Sequence, residues 1–91
     1  MRRVHVLVRG AVQGVGYRYT MRIVAHDLGV SGWVRNRFDG SVEAEIEGTT
    51  EQVEDLLTWM AAGPPGSRPS TPEVDDIDLE GATSFEVRAT V

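Results

Sequence analysis

Three glycines, Gly10, Gly14 and Gly16, stand close together, and Arg18 follows two positions after the last. Glycine tolerates left-handed dihedrals and close backbone approach, so successive N–H groups can turn toward one point. Where a helix begins, such amides act with the positive helix end to hold an anion. An arginine in the first helical turn can fork its guanidinium around the same anion. That geometry suits a tetrahedral phosphoryl group better than a lysine point charge does. Two better-known loops do not fit. A Walker loop requires a lysine, and all nine basic residues here are arginines. A dinucleotide fingerprint requires a third glycine where Tyr19 stands. Spacing alone leaves two readings: an anion cradle, or a turn that the glycines merely shape.

The elements that must position this loop are legible in the apolar periods. Val4, Val6 and Val8 alternate with His5, Leu7 and Arg9, the period of a strand. From Tyr17 the period lengthens: Tyr17, Met21, Val24, Ala25 and Leu28 make one helical stripe, and Gly29 stands where a C-terminal cap belongs. Residues 30–36 read as a second strand with Trp33 as its large apolar residue, and Asp39-Gly40 is a turn signal. In residues 41–47, Val42, Ala44 and Ile46 face inward while Glu43, Glu45 and Glu47 face out as a solvated row. Thr49 and Gln52 fit a capping box, with Glu51 and Glu54 near the positive helix end. Val53, Leu56, Leu57, Met60 and Ala61 continue the stripe until Gly63-Pro64-Pro65-Gly66 stops it. A loop to Pro72 and two short strands, around 74–79 and 84–89, close the chain. The order β-α-β-β-α-β with an extra short C-terminal strand predicts an α+β, ferredoxin-like two-layer sandwich. Its mainly antiparallel sheet is covered on one face by two helices.

Composition narrows the function classes. At 91 residues the chain is one domain, residues 1–91. With no cysteine there is no disulfide, thiolate metal site or thiol nucleophile, and His5 and His26 make no obvious zinc site. No apolar run is long enough to span a bilayer, and Arg9 and Gly10 break the only stretch near the N-terminus, so the expected address is the cytoplasm. The net charge of −5 argues against a nucleic-acid binder. Yet Arg2, Arg3, Arg9, Arg18, Arg22, Arg35 and Arg37 all precede residue 40, a locally positive half that can attract a small anion.

Two longer stretches carry a family resemblance. Gly10-Ala11-Val12-Gln13-Gly14-Val15-Gly16-Tyr17-Arg18 resembles the first signature of the acylphosphatases. Leu28-Gly29-Val30-Ser31-Gly32-Trp33-Val34-Arg35-Asn36, followed by Asp39-Gly40-Ser41-Val42, resembles the second. Gly48, the Gly63-Pro64-Pro65 break and Phe85 also fit, so the likeness spans almost the whole chain. Tyr17 replaces the commoner phenylalanine, a change expected to alter packing little. The resemblance implies hydrolysis of the carboxyl–phosphate bond of small acyl phosphates, with inorganic phosphate as product and inhibitor. It implies that Arg18 binds the phosphoryl group, that Asn36 orients the attacking water, and that amides of Val12, Gln13, Gly14, Val15, Gly16 and Tyr17 complete the cradle. It implies no metal, no cofactor and no phosphoenzyme. No nucleic-acid or membrane partner is expected, and the default state is a monomer.

Blander readings stand beside these. Asn36 can be a turn residue before a hairpin, and Trp33 belongs more naturally to the core than to a ligand platform. Arg9, Arg22, Arg35 and Arg37 read as solvated charges. An RNA-recognition module shares the topology but needs aromatics where this third strand carries glutamates. A regulatory domain would bind phosphate without turnover. A carbamoyl-phosphate unit of the kind found in hydrogenase-maturation carbamoyltransferases lacks, in this chain, the zinc-finger and transferase portions.

Overall fold

The computed structural model describes residues 1–91. The valine alternation becomes β1 (Arg2–Val8), with Val4, Val6 and Val8 fully buried on one face. There follow β2 (Gly10–Ala11), α1 (Tyr17–Leu28), β3 (Ser31–Asn36), β4 (Val42–Gly48), α2 (Thr50–Ala62), β5 (Arg68–Pro69), β6 (Glu73–Ile77) and β7 (Phe85–Val87). Five strands form one sheet in the order β6-β1-β4-β3-β7. All its pairings are antiparallel except that of β3 with β7. Both helices pack on one face, α1 over β3 and β7 and α2 over β1 and β4. The expected ferredoxin-like sandwich is the observed one. Between the layers, valines of β1 and Val42, Ala44 and Ile46 of β4 meet Met21 and Ala25 of α1 and Val53, Leu56 and Met60 of α2.

The helix ends form as their residues dictate. At Thr49 the capping box is complete: the Thr49 hydroxyl accepts from the Gln52 amide, and the Gln52 side chain accepts from the Thr49 amide. Gly29 takes the left-handed conformation after α1, and its N–H and that of Val30 close onto the carbonyls of His26 and Ala25. Val30 therefore belongs to the helix cap, and β3 begins one residue later than the apolar run suggests. The stretch read as loop after α2 also hides structure. Arg68–Pro69 pairs with Gly10–Ala11 in a second, two-stranded sheet, and an added Cβ on Gly10 would lie 2.3 Å from the Arg68 carbonyl oxygen.

The sheet's open face corrects the picture of a solvated acidic row. Glu43 and Glu47 are buried, because strand pairing sets guanidinium groups against them. Arg3, opposite Glu47 in register, has a side chain 1% exposed and pairs with Glu45 at 2.8 Å, Glu47 at 3.3 Å and Glu80 at 3.4 Å. Arg35 and Arg37 are likewise paired rather than solvated: both bond Glu43, at 2.7 and 3.2 Å. Trp33 is buried but lies outside the core cluster, on this open face, with the Arg35 and Arg88 guanidiniums 4.7 and 4.9 Å from its ring centroid. Burial and charge alternate across the sheet, and tryptophan sits on the charged side. A glutamate-lined face with one arginine-flanked aromatic does not offer the stacking row of an RNA-recognition module.

Arg3 carries the first expected outcome. Arg3→Ala strands the carboxylate of Glu47, itself 4% exposed, without its cation. Breaking one side of such a buried pair costs about 3 kcal/mol or more. Denaturant unfolding should show that loss, and a change below about 0.5 kcal/mol would mean the pair is solvated after all.

Candidate active site

The sheet order brings the two sequence motifs to one edge. Val8, at the end of β1, and Asn36, at the end of β3, both pair with Val42 of β4. They stand on either side of one strand, about 10 Å apart at strand spacing. The loop leaving β1 therefore starts two strands from Asn36. Strand alternation aims the asparagine: Arg35 and Arg37 are held to the open face by Glu43, while Asn36 shares the helix-covered side with the fully buried Val34.

Within the loop, Gly14 and Gly16 have φ of 75° and 76°, a region that side chains other than glycine rarely enter. Gly16 is the N-cap of α1, no side chain caps it, and no acidic residue lies in the first turn. This contrasts with α2, where the capping box satisfies the amides of Thr49 and Gln52. The Val12 amide donates to the Gly10 carbonyl at 3.0 Å, and the next amide in a protein hydrogen bond is that of Thr20, to Gly16. The N–H groups of residues 13–19 donate to nothing in the protein. This free run starts at Gln13; the Val12 amide is already bonded to Gly10, and the Val12 side chain is fully buried in the core.

Arg18 lies in the first turn of α1, half-buried, with its guanidinium 5.5 Å from the Tyr19 ring centroid. Arg2, Arg3, Arg9, Arg35, Arg37 and Arg88 are all ion-paired. Arg18, Arg22 and Arg68 have no carboxylate partner; Arg18 belongs to the run of open amides itself, Arg22 lies one turn further along α1, and Arg68 pairs with Ala11 across β2 and β5. At β3, the Asn36 Oδ1 atom is buried and has no hydrogen-bond partner. Buried polar atoms are almost always satisfied, so this acceptor is an exception within the fold.

Three contacts fix these parts. The Gln13 side-chain amide donates to the carbonyls of Arg37 and Ser41, at 2.7 and 2.8 Å, joining the loop to the hairpin that follows Asn36. Asp39, at the hairpin tip, accepts from the Ser41 hydroxyl and amide, and those bonds hold its carboxyl below the usual range. Tyr17 packs on Trp59 and donates its hydroxyl to the Met60 carbonyl at 2.7 Å, docking the start of α1 onto the end of α2. Burial pushes that phenol's pKa up, which keeps it a neutral donor. The expectation that Tyr17 merely substitutes for phenylalanine missed this bond, because sequence gives no sign of a carbonyl within reach. Burial raises the Glu43 carboxyl, but hydrogen bonds from His5, Arg35 and Arg37 outweigh it and leave the group below its ordinary range. It remains an anion and keeps both flanking arginines of Asn36 in place.

The largest clefts lie elsewhere. One of about 400 Å³ opens between α1 and the β3–β7 edge, beside Arg22, His26 and Phe85. A phosphoryl group needs no deep cavity, since converging amides and one guanidinium can surround it at the surface.

The class these features define is a ferredoxin-like α+β protein with an open anion-type loop at the start of its first helix. Comparison with known proteins gives the family. The acylphosphatase family model matches residues 4–87. The acylphosphatase of Thermococcus kodakarensis is 49% identical over 85 residues, covering 93% of this chain and 93% of that one. That of Trichormus variabilis is 47% identical over 89 residues, covering 98% and 88%. The crystal structure of acylphosphatase from Bacillus subtilis superposes with a TM-score of 0.93 at 34% identity, covering 97% of this chain and 99% of that one. The chain belongs to the acylphosphatase family and is a hydrolase of that type.

Proposed function

We propose that the chain hydrolyses small acyl phosphates at phosphorus, with the amides of residues 13–17 and Arg18 holding the phosphoryl group and Asn36 holding the water. The observation that carries this reading is the run of partnerless amides at an uncapped helix start, tied through Gln13 to the strand end that bears Asn36. The amides and the guanidinium bind the non-bridging oxygens, where charge is carried through a loose transition state. The Asn36 side-chain amide holds the water by a hydrogen bond and aims the water's lone pair in line with the scissile bond. A neutral amide does this without repelling a phosphoryl dianion, as a carboxylate would.

Water oxygen bonds to phosphorus as the phosphorus–oxygen bond to the acyl group breaks. The carboxylate leaves with the electron pair, and the water proton passes to a phosphoryl oxygen, giving inorganic phosphate. A carboxylate is a good enough leaving group to depart unprotonated, so the reaction calls for no general acid.

A monomer is the proposed working form, and the cytoplasm is its proposed address. No helix is long and apolar enough to cross a membrane. The test is hydrolysis of a synthetic acyl phosphate with chelator present. Turnover should persist, and inorganic phosphate should inhibit competitively. A requirement for added divalent metal would contradict the mechanism, and no turnover by folded protein would contradict the activity.

A further inference from the structure

We propose that the Gln13 side chain is a positioning residue that sets the distance between the phosphoryl cradle and the water held by Asn36. The inference rests on the roles proposed above for the loop and for Asn36. Gln13 is where the two halves of the site meet. Its backbone N–H opens the free run of amides, while its side chain reaches the neck of the β3–β4 hairpin. Both hydrogens of Nε2 are used, one on the carbonyl of Arg37, the residue directly after Asn36, and one on that of Ser41. Those two carbonyls also take part in the hairpin's own bonds: Ser41 O accepts from the Arg37 amide and Arg37 O from the Gly40 amide. The side chain therefore grips a closed backbone ring and not a mobile tip.

The only ion pair between the stretch leading into the loop and the hairpin is Arg9 with Asp39, at 3.9 Å between half-exposed groups, a contact worth little. The chemistry selects an amide. Glutamate would aim a carboxylate at two carbonyl oxygens, asparagine is one methylene short, and methionine has the length but no donor. Loss of this clamp lets the hairpin and Asn36 shift relative to a cradle that keeps its own supports, the Val12–Gly10 bond and the β2–β5 pairing. Water would then lie off the line of attack while phosphate still binds. Displacement of a reacting group by about 1 Å costs up to about 10² in rate.

The experiment measures kcat and the inhibition constant of inorganic phosphate for Gln13→Met, alone and combined with Asn36→Ala. Gln13→Asn serves if the methionine variant does not fold by circular dichroism. We expect kcat to fall at least about tenfold, with the phosphate constant within about threefold of the parent. In the Asn36→Ala background the same substitution should change kcat less than about twofold, since the group it positions is gone. An equal drop in both backgrounds, no drop at all, or a parallel loss of phosphate affinity and kcat would overturn the inference. Additive effects with Asn36→Ala itself impaired would sink only the role of Gln13. If Asn36→Ala alone left turnover intact, the proposed role of Asn36 would fail, and that of Gln13 with it.

Discussion

Arg18→Ala lowers kcat/KM by at least about 10²–10³, the usual cost of removing one preorganised donor to developing charge. Charge balance sets Arg18 apart. In a chain of net charge −5, six arginines are ion-paired, while Arg18, at the open helix start, has no carboxylate partner. Its charge is left for a ligand, and partial burial strengthens the interaction with one. Phosphate inhibition should weaken along with turnover, because the guanidinium meets the same oxygens in product and transition state. Arg18→Lys should recover only part of the loss, since an ammonium cannot fork across two oxygens. Stability should change by no more than about 0.5 kcal/mol, as for a surface substitution. Steady-state kinetics with phosphate inhibition checks the first three points and thermal unfolding the fourth. Unchanged phosphate affinity in Arg18→Ala would contradict the assigned role.

Asn36→Ala has a different signature. Its Oδ1 is buried and partnerless, so the substitution deletes an acceptor that no protein group uses. Turnover should fall about 10²-fold or more, as when a reacting group loses its orientation. The cradle amides lie on a separate loop, so the inhibition constant for phosphate should stay within about threefold. Asn36→Asp should do worse than alanine in one respect: a carboxylate beside the phosphoryl dianion should weaken phosphate binding as well. If Asn36→Ala lost phosphate affinity in proportion to kcat, the residue would be a binding group and the water would need another holder.

The parts of the fold governed by local rules could be read from sequence. The valines of β1, the Thr49–Gln52 capping box and the Gly29 helix end each depend on residues a few positions apart, and each formed as its spacing dictates. The β2–β5 pair was not legible, because two residues carry no period and their partners lie far along the chain. Alternation assigned Glu43, Glu45 and Glu47 to the outer face correctly. Only strand register shows that Arg3 and Arg35 stand opposite Glu47 and Glu43 there, turning a solvated row into a paired one. The site divides in the same way. Glycine spacing and Arg18 announce an anion loop, and the family resemblance adds Asn36. Which amides are free, and what Gln13 grips, depends on how the loop packs against a hairpin from elsewhere in the sequence.

The central claim is that water attacks phosphorus held in the loop. The most direct measurement is hydrolysis of a synthetic acyl phosphate in water enriched in oxygen-18, with the isotope content of both products determined by mass spectrometry. Attack at phosphorus places one labelled oxygen in inorganic phosphate and none in the carboxylate. Label in the carboxylate would mean that the acyl carbon is the electrophile, and neither the cradle nor Asn36 would then have the role given to it here.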